Sequence, residues 1–422
     1  MKKDSSEKVK IITDINETFN DPYLSPDKIK RVMSSLGKKN INTFIDMVID
    51  LRKTFSEKIP LEDQKGNYFW YNENNEIKST LYKISTEFKD SVFGIVGDKI
   101  EHDFKESSLI KDSLLEEAFY SSQIEGAVTT YMRAKEIVDH DVQPKNKSEQ
   151  MFVNNYNAMR YIEKIASEEL SIDIIFELHR IVTQKTLESK FQGYSGKFRD
   201  YDGIEVIDET TGETVYVPPH YTKIEKLMGD LVSWSNTTER FIHPVIKASI
   251  LHFYLTYIHP FVDGNGRTAR ALFYYYLIKH DYSILKFLSI SSVIAKHKNL
   301  YYRTLKEVED NDSDLTYFLV FSAKATYEAF ENMSNKMLSK IQIEFFLEKI
   351  RKDNLNVNQR QIKIMKGFYL KRYQDMSIEK LNKISGVSEH TVRKDVKQLV
   401  EWNFLSKTKK GRKFYYSINE KD

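Results

Sequence analysis

Within the twelve residues His259-Pro-Phe-Val-Asp-Gly-Asn-Gly-Arg-Thr-Ala-Arg270 lie side chains whose types and spacing could do chemistry together. His259 has an ordinary pKa suited to taking a proton from a hydroxyl at neutral pH. Asp263 offers a hard oxygen to Mg²⁺, which bridges phosphates using few protein ligands. Asn265 can donate to a phosphate oxygen. Gly264 and Gly266 lack a Cβ, so an anion can come close to the backbone N–H groups of a helix starting here, where the dipole also favours negative charge. Arg267 and Arg270 are three apart, share a helix face and can grip the outer phosphates of a polyphosphate. Together these are the base, metal ligand, anion cradle and charge clamp that a phosphoryl or nucleotidyl transfer requires. Each part alone has a plainer reading: a helix-end histidine, a Gly-Asn-Gly turn, a solvated arginine face. Their joint occurrence argues for function.

Such a loop needs rigid elements on both sides. Periodicity predicts helices over about Pro244–Tyr257 before it and Thr268–His280 after it. Further helices are expected at Asn42–Ser56, Ser79–Phe93, Asp112–Glu125 (ended by Gly126), Ser171–Leu187 and Thr222–Asn236, with two more beyond Leu300 and a linker near Lys349–Asn358. The Tyr68, Phe69, Trp70, Tyr71 cluster within Glu62–Glu76 reads as a docked loop or a short strand. Gly203–Val217 changes character: alternating runs flank the turn-rich Asp208-Glu-Thr-Thr-Gly, a β-hairpin signal in an otherwise helical chain.

The bulk properties set the frame. A chain of 422 residues is too long for one core, and 41% hydrophobic with 30% charged residues fits a globular protein, not a disordered one. No apolar run reaches membrane-spanning length, and the N-terminal MKKDSSEK does not read as a secretory signal. The absence of cysteine excludes disulfides and thiolate metal sites and suits a reducing cytoplasm, the expected location. From Arg351 onward 18 Lys and Arg face 8 Asp and Glu, a net +10 that leaves −7 for the rest of a chain totalling +3.

The loop resembles the Fic signature, His-x-Phe-x-Asp/Glu-Gly-Asn-Gly-Arg-x-x-Arg, at every fixed position. The resemblance extends over about Gly66–Ala329 and implies transfer of AMP from ATP to a Ser, Thr or Tyr hydroxyl of target proteins and of the chain itself. It implies His259 as general base, Asp263 as the Mg²⁺ ligand, and Gly264 with Gly266 as the phosphate cradle. By the same match Asn265 holds the α-phosphate, Arg267 and Arg270 hold the outer phosphates, and Phe261 is a buried anchor. The intact Gly-Asn-Gly-Arg favours nucleotidyl transfer over the phosphorylation carried out by Doc-type relatives. The hairpin, with Val206, Ile207 and Tyr216, looks like the Fic flap, which clamps an extended target by strand addition; a merely solvent-facing hairpin is the alternative. Tyr301 and Tyr302 resemble the base-binding edge of these enzymes, though tyrosines at helical spacing also serve as core.

Upstream, Ser121-x-x-x-Glu125-Gly126 places Ser121 and Glu125 one turn apart on one helix face. This looks like the Fic inhibitory helix. There the glutamate pairs with the second arginine, here Arg270, and competes with the phosphate that would use the same fork. A solvated glutamate near a helix end is the plainer alternative, and nothing in the sequence decides whether Glu125 also supports removal of AMP.

In the basic tail, Ser377–Val400 reads as helix, tight turn at Gly386, helix, with Ser388 as N-cap, and Leu405–Ile418 alternates around Lys409-Lys-Gly-Arg. Together they resemble a winged helix-turn-helix. In it Thr391, Arg393, Lys394 and Lys397, with Glu389 and His390, would face a major groove, and Lys409, Lys410, Arg412 and Lys413 a phosphate backbone. Winged helices also dock proteins. The expected fold is therefore mainly α: a Fic-type helical domain with a β-hairpin flap, plus an α+β winged helix-turn-helix. The expected boundaries are 1–110 (helical region on the core), 111–335 (catalytic domain, inhibitory helix 111–126), 336–357 (linker or helix) and 358–422. Three function classes stand at this point: an enzyme restrained by Glu125, or a relative using another nucleotide or reversing the transfer; a DNA-binding regulator with a nucleotide-sensing or self-modifying domain; and an interaction protein with a dead site. ATP, a target protein, DNA and a second copy of the chain are the partners to consider; a membrane is not.

Overall fold

Side-chain caps set at least half of the helix starts among the described residues. Thr130 accepts from the N–H of Arg133, Asn146 from Glu149, Ser171 from Ile174 and Ser388 from Thr391. The computed structural model describes residues 22–38, 40–90, 108–204, 206–207, 214–280, 288–370 and 373–419. In chain order these form α1 (Pro26–Ser35), α2 (Ile41–Thr54), β1 (Glu57–Glu62), β2 (Tyr68–Tyr71), α3 (Asn75–Asp90), α4 (Ser108–Ile124), α5 (Tyr131–Asp139), α6 (Lys147–Ile165) and α7 (Ile172–Thr183). There follow β3 (Val206–Ile207), β4 (Thr214–Tyr216), α8 (Ile224–Asn236), α9 (Pro244–Ile258), α10 (Asn265–Lys279), α11 (Ile290–Lys296), α12 (Lys298–Asp310) and α13 (Thr316–Lys352). Last come α14 (Gln359–Tyr369), β5 (Met376–Ser377), α15 (Ile378–Ser385), α16 (Glu389–Glu401), β6 (Leu405–Lys410) and β7 (Lys413–Ile418). The chain divides into two compact units, Met1–Phe330 and Glu331–Asp422.

In the first unit α9 is the central element. Nearly every residue from Val245 to Ile258 is buried, which a helix apolar on all sides requires. It packs along α10, with α4, α6 and α7 also against α10. The aromatic cluster near Tyr68 forms β2, paired antiparallel with β1, and Phe69 packs edge-on against Phe253, Tyr254 and Tyr257 of α9. The expected flap hairpin is present as β3–β4, with Val206 opposite Tyr216. Its turn-rich centre lies outside the described residues, as do residues 91–107 beyond α3.

Two boundaries differ from expectation. Helix α10 starts at Asn265, not Thr268, because Gly264 takes φ +87° and turns the chain straight into the helix. The segment 336–357 is helical through Lys352, and Phe346 lies in the C-terminal core with Ile364, Val392, Val396 and Leu399. That stretch therefore contributes apolar surface to the second unit and is not a bare connector. In this unit α14, α15 and α16 pack on a sheet of order β5-β7-β6, with Gly386 at φ +68° between α15 and α16. Among the described residues no helix is long and apolar enough to cross a membrane.

Candidate active site

The loop between α9 and α10 is braced from several sides. His259 caps α9 in the left-handed region (φ +48°), a costly conformation for a non-glycine residue, and one held here by its surroundings. The Arg199 Nε donates to the His259 carbonyl at 3.0 Å, and the Arg199 backbone N–H donates to Pro260 at 2.8 Å. The same buried guanidinium donates to the carbonyls of Tyr201 (3.0 Å) and Pro219 (2.6 Å), the two roots of the β3–β4 hairpin. Phe261 is fully buried and stacks on His179, centroids 3.8 Å apart. His179 Nδ1 accepts from the Gly196 N–H, so its Nε2–H donates to the Asp263 carbonyl at 2.9 Å. Burial pushes His179 down to about 4, which keeps it neutral in this role.

Asn265 closes the loop on itself: its Oδ1 accepts from the Phe261 N–H (2.9 Å) and its Nδ2 donates to the Phe261 carbonyl (2.8 Å). Its Nδ2 carries a second N–H beyond the one given to Phe261. Gly264 is required twice over, by its φ and because a Cβ would sit 2.7 Å from Thr183 Cγ2. Helix α10 has no side-chain cap, so no capping side chain satisfies its first N–H groups, the kind of helix start that suits an anion.

The two arginines part company. Arg267 is buried and donates to the Val182 carbonyl and to Asp263 Oδ1, both at 2.8 Å, while its Nε is buried with no partner. It braces the loop through one oxygen of an Asp263 carboxylate that is 37% exposed. A partly exposed carboxylate beside that helix start fits a Mg²⁺ whose other ligands are phosphates and water. Among the described residues no cluster of three acidic, His or Cys side chains forms a self-sufficient metal cage. Arg270, also buried, donates from Nε to Ser121 Oγ (2.9 Å) and from Nη2 to the Ser121 carbonyl (3.0 Å) and Glu125 Oε1 (2.9 Å). The Glu125 carboxylate lies over the start of α10, where a Cβ on Gly266 would collide with it.

His259 is half-buried. Burial pushes its imidazole down to about 4, against the upward pull of the Thr256 carbonyl and the Glu125 charge. The ring is therefore neutral at pH 7, though a weaker base than an ordinary histidine. Its Nδ1 lies 3.3 Å from the Thr256 carbonyl, which selects the Nδ1–H tautomer and leaves the Nε2 lone pair as the proton acceptor.

Other expected positions separate. Tyr301 is buried, within reach of His252 Nε2 (3.0 Å), and lines with His252, Arg270 and Ser291 a cavity of about one water's size. Tyr302 beside it is 37% exposed. Tyr216 donates to the Tyr257 carbonyl at 2.8 Å, which anchors β4 to α9. Val206 and Ile207 supply strand backbone. In the C-terminal unit the buried face of α16 is Val392, Asp395, Val396 and Leu399, which leaves Arg393, Lys394 and Lys397 exposed and Thr391 at the first turn. Arg393 pairs with Glu389 and Lys397 with Glu401 (3.6 Å). In the wing Lys410 pairs with Asp375 (2.6 Å) and Lys413 with Glu379 (3.2 Å). His179, Arg199 and Glu117 carry weight that sequence reasoning missed. The first two stand alone in sequence with no spacing to betray them, whereas Glu117 lies one turn before Ser121 on the stripe that includes Glu125.

The comparisons agree with this geometry. The Fic/DOC family matches residues 169–277, and the DeoR-like helix-turn-helix domain matches residues 360–417. A Nematostella vectensis protein named protein adenylyltransferase Fic is 28% identical over 226 residues, which cover 51% of this chain and 48% of that one. A Drosophila yakuba protein of the same name is 29% identical over 227 residues, covering 51% and 41%. The chain thus spans about half or less of the length of these relatives. The crystal structure of a Fic family protein from Desulfovibrio desulfuricans superposes with a TM-score of 0.53 at 20% identity, covering 83% of this chain and 98% of that one, a likeness of fold. With a loop that matches the signature at every fixed position and a braced, uncapped helix start behind it, the chain carries a Fic/DOC family domain followed by a DeoR-like helix-turn-helix domain.

Proposed function

We propose that this chain transfers AMP from ATP to a Ser, Thr or Tyr hydroxyl of protein targets, itself included, and that Glu125 holds the site shut. The observation that carries the reading is the Glu125 carboxylate, 2.9 Å from Arg270 and lying over the uncapped start of α10, where the outer phosphates of a nucleotide would bind. In the reaction the neutral His259 Nε2 takes the proton of the target hydroxyl. That oxygen bonds to the α-phosphorus as the bond to pyrophosphate breaks. Arg270, once free of Glu125, binds the outer phosphates. Mg²⁺ held by Asp263 would supply charge neutralisation between the phosphates. The names of the relatives support AMP as the transferred group.

The test is incubation of the wild type, Glu125→Gly and Glu125→Gly/His259→Ala with Mg²⁺ and ATP labelled on the α-phosphate. Strong labelling of protein by Glu125→Gly alone is expected. Equal labelling by the wild type and Glu125→Gly would remove the brake from the reading, and labelling that appears only with γ-phosphate label would replace AMP transfer by phosphorylation. Location in a cytoplasm belongs to the same proposal.

A second reading rests on α16, whose exposed Arg393, Lys394 and Lys397 stand opposite its apolar face in a unit with a helix-turn-helix match. DNA binding by this unit, altered by self-labelling, would make the chain a regulator. Binding to a genomic fragment library before and after labelling decides it, and unchanged binding counts against the switch.

A further inference from the structure

Glu117 is 3% exposed and lies on α4 one turn before Ser121 and two before Glu125, on the same face. Its Oε2 accepts from Tyr274 Oη (2.7 Å), the Ser291 backbone N–H (2.9 Å) and Ser289 Oγ (3.3 Å), and its Oε1 accepts from Ser291 Oγ. Tyr274 follows Arg270 by four residues on α10. The two helices are therefore joined by two rungs of equal spacing: Glu117 to Tyr274, and Ser121 with Glu125 to Arg270. Ser289 is the N-cap of α11, so the same carboxylate also ties α4 to the start of a third helix. A helix held at two points one turn apart can neither slide nor rotate without breaking both. A buried carboxylate that accepts this many bonds loses much when its helix shifts.

We propose that Glu117 is a positioning residue of the brake: it fixes the register of α4 so that Glu125 stays on Arg270, and it takes no part in AMP transfer itself. This rests on the function proposed above and deepens its regulation. Glu117→Gln keeps the shape but removes the charge and replaces one of the two accepting oxygens by an NH2 that can only donate, so the bonds to Oε1 and Oε2 cannot all be kept at their present strength. The α4 register then loosens, and ATP competes with Glu125 more often.

The experiment compares initial rates of α-phosphate labelling for Glu117→Gln alone and in the Glu125→Gly background, with Ser291→Ala as a second way to weaken the same rung and a thermal melt of each variant. Glu117→Gln is expected to raise labelling by the otherwise wild-type chain about tenfold, judged from the strength of hydrogen bonds to a buried charge. It should change the Glu125→Gly rate by less than about twofold, because the residue through which it acts is gone. Ser291→Ala should move the wild-type rate in the same direction by less. No rise for either variant in a folded chain, or an equal fall in both backgrounds, overturns the proposal. Failure of Glu125→Gly itself to label brings down the underlying AMP-transfer reading, and a control with that single variant separates the two failures.

Discussion

Arg270 and Arg393 each pair with a glutamate, yet the two pairs obey different physics. Arg270 meets Glu125 across 145 positions of sequence, with its side chain 4% exposed and Ser121 filling two more donor positions. Arg393 meets Glu389 one turn away on its own helix, and both side chains are more than half exposed. The local, solvated pair is worth about 0.3–0.5 kcal/mol and yields readily to a phosphate. The buried pair holds a charge that must always have a partner, so an incoming phosphate has to replace the carboxylate and not merely join it. On the proposed reading the first region would control access and the second would make fast, salt-sensitive encounters.

The following outcomes would break or sharpen that contrast, the largest first. Releasing the buried pair through Glu125→Gly should raise AMP transfer by roughly 100-fold, and adding His259→Ala should remove at least about 100-fold again, within the range for a lost general base; labelled ATP measures both. Arg199→Leu should destabilise the first unit by about 3 kcal/mol or more in chemical denaturation, since three backbone carbonyls lose a charged donor at once.

Acid should act on the same interior. His179, His243 and His259 are held down to about 4 and His252 to about 3, mainly by burial, so each stays neutral in the folded chain while the unfolded chain takes up its proton near 6.5. Their contribution is whole above about pH 6.5 and shrinks as pH falls toward 4. Asp314, pushed up to about 6 by burial, works in the opposite direction between about 6 and 4, and Glu309, pushed up to about 8, does so from about 8 downward. Glu117, also pushed up by burial, joins these two carboxyls; with four histidines against three carboxyls, melting temperature should drop from pH 6.5 to 4.5. Transfer by Glu125→Gly should keep its rate down to about pH 5, because removing Glu125 lowers His259 further. An acidic limb near 6.5 would show that the imidazole is more solvated than the geometry implies.

The smallest effects belong to the exposed region. Lys394→Ala or Lys397→Ala should each weaken DNA binding across sequences and reduce the salt slope by about 1. Arg393→Ala should change stability by less than about 0.5 kcal/mol.

How much of this was legible in the sequence differs by element. The catalytic loop is contiguous and tied to one helix start, so its types and spacing revealed it. The helix-turn-helix was equally plain, because Ser388, Gly386 and the α16 periodicity are local signals. The Ser121–Glu125 spacing marked a shared face, and the resemblance, not the spacing, named Arg270 as its partner, which is where the structure places it.

Local chemistry, then, was determined by the order of residues alone: caps, the left-handed glycines, the His-to-Arg loop, the basic tail. Packing decided the rest. That Arg199 serves a histidine 60 positions away, that Asn265 bonds the backbone of its own loop, and that Glu117 binds Tyr274 and Ser291 depend on which surfaces α4, α7, α9 and α10 bury together. A buried polar group must find a partner wherever the fold supplies one, and no spacing rule along the chain specifies that partner.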